Sequence, residues 1–344
     1  MNALVFEKPG DLKLAELPVP EITAPDQVLI KVAACGICGS DVKIMQGKHD
    51  YTPGIVLGHE FNGTVVDIGS AVTVTAVGDR VALDNNSRCG LCECCRMGFS
   101  SQCEELKNRT LGIYKNGGFA EYCLATQDVC FRIPDEIDEI VGTQVETLGT
   151  VLNGMNTVQM QPWDNVLVLG CGPIGYLFTS LARYSAAKVM VTEIDPFRYS
   201  IAQELGVTAV NPLELDIHEE IMRWSGNHKA NVVIDAVGDQ MQNAIDYVAP
   251  GGKILAFGMD SSFKAELTPY EITRRAIKIL GTYIGQNTIL PSIRILEAGK
   301  INMKHFFTGT VPLHEGVNAF GKLGLDIETM KAIPKKAMKI VLKP

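Results

Sequence analysis

The feature that most constrains the fold is a strand, a glycine-rich turn and a helix in immediate succession. Val166-Leu-Val-Leu runs into Gly170-Cys-Gly172-Pro173-Ile174-Gly175, a G-x-G-x-x-G spacing, and a helical pattern continues over 176–184. Glycines at these positions allow a tight turn and let the backbone approach a pyrophosphate, which then sits at the positive end of the helix. The pattern alone is weak, but a second strand, Lys188-Val-Met-Val-Thr, ends in Glu193, eighteen residues after Gly175. A carboxylate there accepts hydrogen bonds from both hydroxyls of an adenosine ribose and repels a 2′-phosphate. Glu193, with Asp195 close behind, therefore points to NAD over NADP, and Arg198 is the nearby cation that argues the other way. Gly170, Gly172, Pro173, Ile174, Gly175, Glu193 and Arg198 are the expected cofactor-binding residues.

The surrounding texture divides the chain. From residue 1 to about 128 the apolar stretches are short and β-branched, as in Gln27-Val-Leu-Ile-Lys-Val-Ala, and Gly, Pro and Asp separate them, which predicts antiparallel strands joined by turns. From about 140 to 285, apolar strands of four to six residues alternate with helical patterns, the rhythm of a doubly wound parallel sheet. Further strands at 231–238 and 253–258 bring turn glycines to the carboxyl edge where ligands bind. Beyond 288, a helical 289–298 and a closing strand 337–342 are expected to return to the first domain. The expected fold is α/β with three segments: 1–145 antiparallel, 146–285 nucleotide-binding, and 286–344 returning.

The net charge of -8 offers no basic field for a nucleic-acid backbone, so nucleic-acid binding is not expected. No apolar run approaches the ~20 residues that span a bilayer, and the first residues alternate apolar and polar without the pattern of a secretory signal. The cytoplasm is the expected compartment. In a reducing compartment, ten cysteines are expected to serve as metal ligands, catalytic groups or buried apolar residues and not as disulfides.

Five of the ten fall between 89 and 103. Cys89, Cys92, Cys95 and Cys103 stand at intervals of three, three and eight, leaving Cys94 as the odd one. Short loops of this kind let four sulfurs converge tetrahedrally on Zn²⁺, and a site closed by four thiolates has no open position for chemistry, so this one is expected to be structural. A second set is scattered: Cys38 in Cys35-Gly-Ile-Cys38-Gly-Ser40-Asp41, His59-Glu60 after Gly58, and Glu146. One thiolate, one imidazole and one carboxylate leave a position for water or substrate, as a catalytic zinc requires. Spacing cannot assemble that set.

The whole chain resembles the zinc-containing medium-chain alcohol dehydrogenases, and within them the polyol branch that includes sorbitol and galactitol-phosphate dehydrogenases. The resemblance is carried by Gly36-Ile-Cys-Gly-Ser-Asp41, Gly58-His-Glu60, Val77-Gly-Asp-Arg-Val81, the four-cysteine lobe, Gly117-Gly-Phe-Ala-Glu-Tyr122 and the nucleotide motif. It implies a GroES-like catalytic domain beside a Rossmann domain, and two zinc ions per chain. It makes Cys38 and His59 catalytic zinc ligands, Glu60 a direct or exchangeable ligand, and Glu146 the remaining carboxylate, held directly or through water. Asp41 would orient His59, and Ser40 would lie beside the substrate oxygen. Cys35 is read as a buried thiol. A homodimer or homotetramer is implied, with the last strand of the nucleotide domain, near 277–284, at the subunit boundary.

The chain departs from the branch in places. Thr147 stands where Pro is common after the carboxylate, Asn153 stands where His is frequent, and Lys43 occupies the position of the His that completes the proton relay in ethanol-oxidising members. Leu83-Asp84-Asn85-Asn86-Ser87 is polar where those members place a bulky aromatic in the substrate pocket. A pocket that hydrogen-bonds several hydroxyls rejects a bare alkyl alcohol, so a polyhydroxy substrate is expected, as a polyol or polyol phosphate. The alternatives for the same chemistry are L-threonine oxidised at its 3-hydroxyl, a sugar phosphate or a cyclic polyol, with Lys43, Lys48 and Arg109 as cations for an acidic group. Outside enzymes, the alternative is a dinucleotide-binding zinc protein that has lost its chemistry.

Overall fold

A computed structural model describes residues 1–344, which fall into two compact units, 1–149 with 285–344, and 150–284. The boundary at 149/150 lies inside the helix Val145–Val158.

The first unit is built on a seven-stranded sheet whose central strand is Gln27–Gly36. One side of it pairs with Glu60–Ile68, which continues through Arg80–Leu83 to Cys130–Arg132, and Tyr122–Thr126 pairs with its first half. All of these pairings are antiparallel. The closing strand Lys339–Lys343 joins the same central strand at its far end and carries Phe307–Pro312 in parallel on its outer side. A small sheet of Asp11–Glu16, Asn2–Lys8 and Ile55–Val56 completes the unit. Leu4, Phe6, Ile30, Phe61, Phe119 and Phe320, all essentially excluded from solvent, form its core.

The register at the end of the central strand determines which charged side chains meet. Gly36 stands opposite Glu60 on one side and opposite Val341 on the other. Directly opposed residues point to one face, and side chains two apart along a strand share a face, so Glu60 and Lys339 lie on the same side of the sheet. Gly36 leaves the room between them, since a Cβ there would lie 2.5 Å from Glu60 Oε2.

The second unit is a six-stranded, wholly parallel sheet in the order Thr208–Val210, Lys188–Thr192, Asn165–Leu169, Ala230–Asp235, Val248–Ala256, Lys278–Gly281. Numbered within the unit this is 3-2-1-4-5-6, and the order reverses between Asn165–Leu169 and Ala230–Asp235, where ligands bind in such sheets. Helices between the strands cover a core of Leu167, Met190, Val233 and Ile254, and Phe178 meets Phe257 edge-on at 4.8 Å. The edge strand Lys278–Gly281 has exposed or half-exposed side chains throughout.

Candidate metal centres and nucleotide site

Cys38 immediately precedes the helix Gly39–Met45. The carboxylate of Asp41 folds back to accept from the Cys38 backbone N–H at 2.7 Å, which fixes the thiol at the mouth of the helix. The other oxygen of Asp41, Oδ1, lies 3.5 Å from His59 Nδ1, with both side chains buried, and His59 Nε2 lies 3.3 Å from Ser40 Oγ. One turn of helix thus reaches His59 from both ring nitrogens. Cys38, His59 and Glu60 each place a ligand atom within 4.8 Å of the others. Burial disfavours a charge on His59, but Asp41 and Cys38 outweigh it and hold the imidazole well above its ordinary pKa. A buried ring that faces a carboxylate on one nitrogen and is grouped with a thiol and a second carboxylate is a cation position, and this donor set suits zinc.

Glu60 has no solvent access and is closely bound. Its Oε1 accepts from Lys339 Nζ at 2.8 Å and Thr147 Oγ1 at 2.7 Å, and its Oε2 accepts from Lys339 Nζ at 2.5 Å and Gln144 Nε2 at 3.4 Å. Burial would raise the Glu60 pKa, yet Lys339 prevails and the carboxyl stays ionised. Lys339 is likewise held charged: burial opposes it and Glu60 overrides. Glu146, on the first turn of Val145–Val158, falls outside the close group, and burial pushes its carboxyl up to about 7 against the pull of His59.

The four cysteines 89, 92, 95 and 103 converge in the same way, and Cys94 stays outside their group. Backbone N–H groups point at the sulfurs: Leu91 and Cys92 donate to Cys89 Sγ at 3.4 and 3.3 Å, and Cys89 donates to Cys103 Sγ at 3.3 Å. Those of Cys92 and Leu91 lower Cys89 to about 6, while burial and the neighbouring sulfurs raise Cys95. Four sulfurs this close cannot all ionise without a cation, and the set fits a tetrahedral Zn²⁺ with Zn–S of about 2.3 Å.

At the nucleotide turn, Gly172 ends the loop and Pro173–Ala182 forms the helix. A Cβ at Gly175 would lie 1.9 Å from the carbonyl oxygen of Gly170, so the helix can approach the turn only with glycine there. Glu193 is buried at the end of Lys188–Thr192; its Oε2 accepts from Cys171 N at 2.8 Å and its Oε1 from Ile194 N and Asp195 N at 2.8 and 2.9 Å. The carboxylate thus pins the glycine turn from the next strand. Arg198 packs against Gly172, and its buried Nε has no hydrogen-bond partner.

Profile matches cover most of the chain: the alcohol dehydrogenase GroES-like domain matches residues 24–135 and the zinc-binding dehydrogenase family matches 173–298. The chain belongs to the zinc-binding alcohol dehydrogenase family. Among its relatives there, sorbitol dehydrogenase of Bacillus subtilis strain 168 is 31% identical over 333 residues, covering 93% of this chain and 92% of that protein. D-altritol 5-dehydrogenase of Agrobacterium fabrum is 33% identical over 341 residues, covering 96% and 98%. A Sinorhizobium meliloti 1021 structure described as a zinc-binding dehydrogenase bound to NADP superposes with a TM-score of 0.91 at 30% identity, covering 100% of this chain and 99% of that one. The α/β architecture of an antiparallel GroES-like sheet with a Rossmann sheet is the one this family predicts.

Asn85, Asn86 and Ser87, expected to line a substrate pocket, are engaged within their own unit. Asn86 Nδ2 donates to Asn85 Oδ1 at 2.6 Å, Thr110 Oγ1 donates to Asn86 Oδ1, and Ser87 Oγ donates to Asp128 at 2.7 Å. Asp84 is paired with Arg88 at 2.5 Å, and Arg88 also donates to the Gly285 carbonyl. These polar side chains are held by one another and by Thr110, Asp128 and the Gly285 carbonyl, and Asp84 lies close enough to Glu146 to raise its pKa. Of the three cations proposed for an acidic substrate group, Lys48 and Arg109 are exposed and Lys43 is half-buried on the helix Gly39–Met45. Asn153 donates to the Ile284 carbonyl at 2.8 Å, a backbone brace within its own unit.

Sequence patterns do not single out Lys339 or Gln144. The signal for Lys339 is a lysine inside the otherwise apolar closing strand, Ala337-Met-Lys339-Ile-Val-Leu, where a buried charge demands a partner.

Proposed function

We propose that this chain oxidises a secondary alcohol of a polyol or polyol phosphate and passes the hydride to NAD, with one catalytic and one structural zinc per chain. The observation that carries the reading is the close group of Cys38, His59 and Glu60 beside Ser40, in a chain whose family relatives include sorbitol and D-altritol dehydrogenases. Cys38 and His59 hold the catalytic metal, with a carboxylate from Glu60 or Glu146. Cys89, Cys92, Cys95 and Cys103 hold the structural one. When bound, the catalytic zinc supplies a Lewis acid that lowers the pKa of a substrate hydroxyl.

The protein's own groups do the rest. Asp41 fixes the His59 ring, because a carboxylate at one nitrogen commits the other to its partner. Ser40 Oγ, next to His59 and partly exposed, would relay the hydroxyl proton, taking it up as it releases its own to solvent. The backbone N–H groups at the start of Pro173–Ala182 take the pyrophosphate, and Glu193 faces the adenosine ribose, which favours NAD. Arg198, packed on Gly172, lies within the same turn and offers its guanidinium to the nucleotide. Hydride transfer itself belongs to the nicotinamide, and the protein aligns the two reactants.

We assign the protein to the cytoplasm, where thiols stay reduced: Cys89, Cys92, Cys95 and Cys103 converge on one metal position, Cys38 stands at the other, and Cys35, Cys123, Cys130 and Cys171 are buried. A homodimer or homotetramer, with the edge strand Lys278–Gly281 paired across the subunit boundary, extends the sheet.

The test monitors NADH absorbance with purified protein, NAD or NADP, and a panel of free polyols, phosphorylated polyols, cyclic polyols, L-threonine and simple alcohols, with and without a zinc chelator. Turnover with a polyol that the chelator abolishes is expected. Silence across the panel, in protein shown to carry both metals, overturns the substrate class.

A further inference from the structure

Lys339, Thr147 and Gln144 together make four donor contacts to the two oxygens of Glu60, and the side chains of all three are buried. Gly36 closes the seat, since any Cβ would press on Oε2. A carboxylate has about four lone-pair sites, and four are engaged here. A Glu60 oxygen already lies within 4.8 Å of the ligand atoms of Cys38 and His59, and to bond a metal there it gives up one of these contacts. Lys339 anchors both oxygens and Gln144 makes the longest contact, at 3.4 Å. Thr147, at 2.7 Å, is the short neutral contact; its loss frees one lone pair of Oε1, while Lys339 still donates to that oxygen and compensates the charge.

The position of Thr147 adds a second consequence. It comes directly after Glu146 on the first turn of Val145–Val158. The same turn thus carries one candidate carboxylate ligand and the hydroxyl that restrains the other.

We propose that Thr147 is a positioning residue whose hydroxyl keeps Glu60 in the Lys339 seat, and so sets whether Glu60 or Glu146 serves the metal of Cys38 and His59. With the hydroxyl present, Glu60 rests on Lys339 and Glu146 is the carboxylate available. Without it, Glu60 moves toward the metal. The inference rests on the reading of Cys38 and His59 as zinc ligands.

The test uses full-length protein loaded with Co²⁺, compared among wild type, Thr147→Val, Thr147→Ala and Thr147→Ser. The cobalt d–d bands report the ligand set, and transfer of metal to a chromogenic chelator reports how firmly it is held. Loss of one hydrogen bond to a charged group shifts the balance of Glu60 positions by about tenfold. Thr147→Val and Thr147→Ala are therefore expected to alter the d–d bands and to slow release of one metal equivalent by about the same factor, while Thr147→Ser behaves as wild type. Two bound equivalents with unchanged bands and release in both hydroxyl-free variants overturn the role of Thr147 and leave the metal reading intact. So does a Thr147→Ser variant as altered as Thr147→Val, which would make the effect one of packing. A wild-type protein that binds a single equivalent, retained when Cys38 is replaced by Ser, overturns the metal reading and the inference with it.

Discussion

Lys339 Nζ donates to both carboxylate oxygens of Glu60, at 2.5 and 2.8 Å, and neither side chain has meaningful access to water. The pair joins the last strand of the chain to residues beside the candidate catalytic centre, across 279 positions of sequence. Removing one partner of a buried pair strands the other charge, a change that costs about 3–5 kcal/mol. Lys339→Met is therefore expected to lower the unfolding free energy by about that amount. The double variant Lys339→Met/Glu60→Gln is expected to recover a large part of it, because no stranded charge remains. Urea denaturation of the single and double variants measures both, and additive losses would show that the pair is not coupled.

The cysteine lobe makes a prediction about metal content. Cys89→Ser or Cys103→Ser removes one of four converging sulfurs and is expected to cost one zinc equivalent and several degrees of melting temperature. Cys94→Ser, which touches a sulfur outside the group, is expected to keep both equivalents. Metal analysis of the purified variants decides it, and loss of zinc in Cys94→Ser would redraw the ligand set.

Glu193 braces the glycine turn through Cys171 N and, in the proposed function, also faces the ribose. Glu193→Gln keeps the size, removes the charge and turns one acceptor into a donor, so a bracing bond is lost with it. The ratio of its kcat/KM with NAD to that with NADP is expected to fall by about tenfold, the effect of weakening a hydrogen bond to a charged acceptor on the ribose. An unchanged ratio between the two cofactors would remove Glu193 as the determinant.

Stability is expected to decline on the alkaline side. Burial, then Asp128, pushes the Cys130 thiol up to about 12, against an ordinary value of 9.0. A folded pKa above the unfolded one gives a contribution that is complete below pH 9 and is lost as pH rises through about 12, because only the unfolded chain readily releases the proton. By pH 10 the loss from this group is about 1 kcal/mol. Cys130→Ala is expected to be less stable than wild type at pH 8, yet to lose less between pH 8 and pH 10 by about that amount. Equal slopes in denaturation at the two pH values would contradict the burial argument.

The nucleotide turn is legible in the sequence because every element that it needs is local. Strand, glycines, helix and Glu193 lie within residues 166–193, and a G-x-G-x-x-G between strand and helix has few other uses. The same holds for the four-cysteine lobe, where short intervals force the sulfurs together. The scattered set of Cys38, His59, Glu60 and Glu146 is legible only through family resemblance, since spacing carries no information about residues brought together by a sheet. Asn85, Asn86 and Ser87 show the opposite limit. Their polarity is plain, but whether a polar side chain faces a ligand or its own neighbours depends on partners such as Thr110 and Asp128.

What the sequence determined by itself is thus the chemistry held in contiguous segments: a dinucleotide turn, a metal lobe and an α/β division of the chain. What the tertiary structure decided is the state of Glu60. Antiparallel pairing sets Gly36 between Glu60 and Val341, the two-residue repeat of the strand brings Lys339 to the same face, and the absence of a side chain at Gly36 leaves space for the ion pair. Register is a property of strands that are far apart in the chain. It fixes which charge meets which, and no local pattern encodes it.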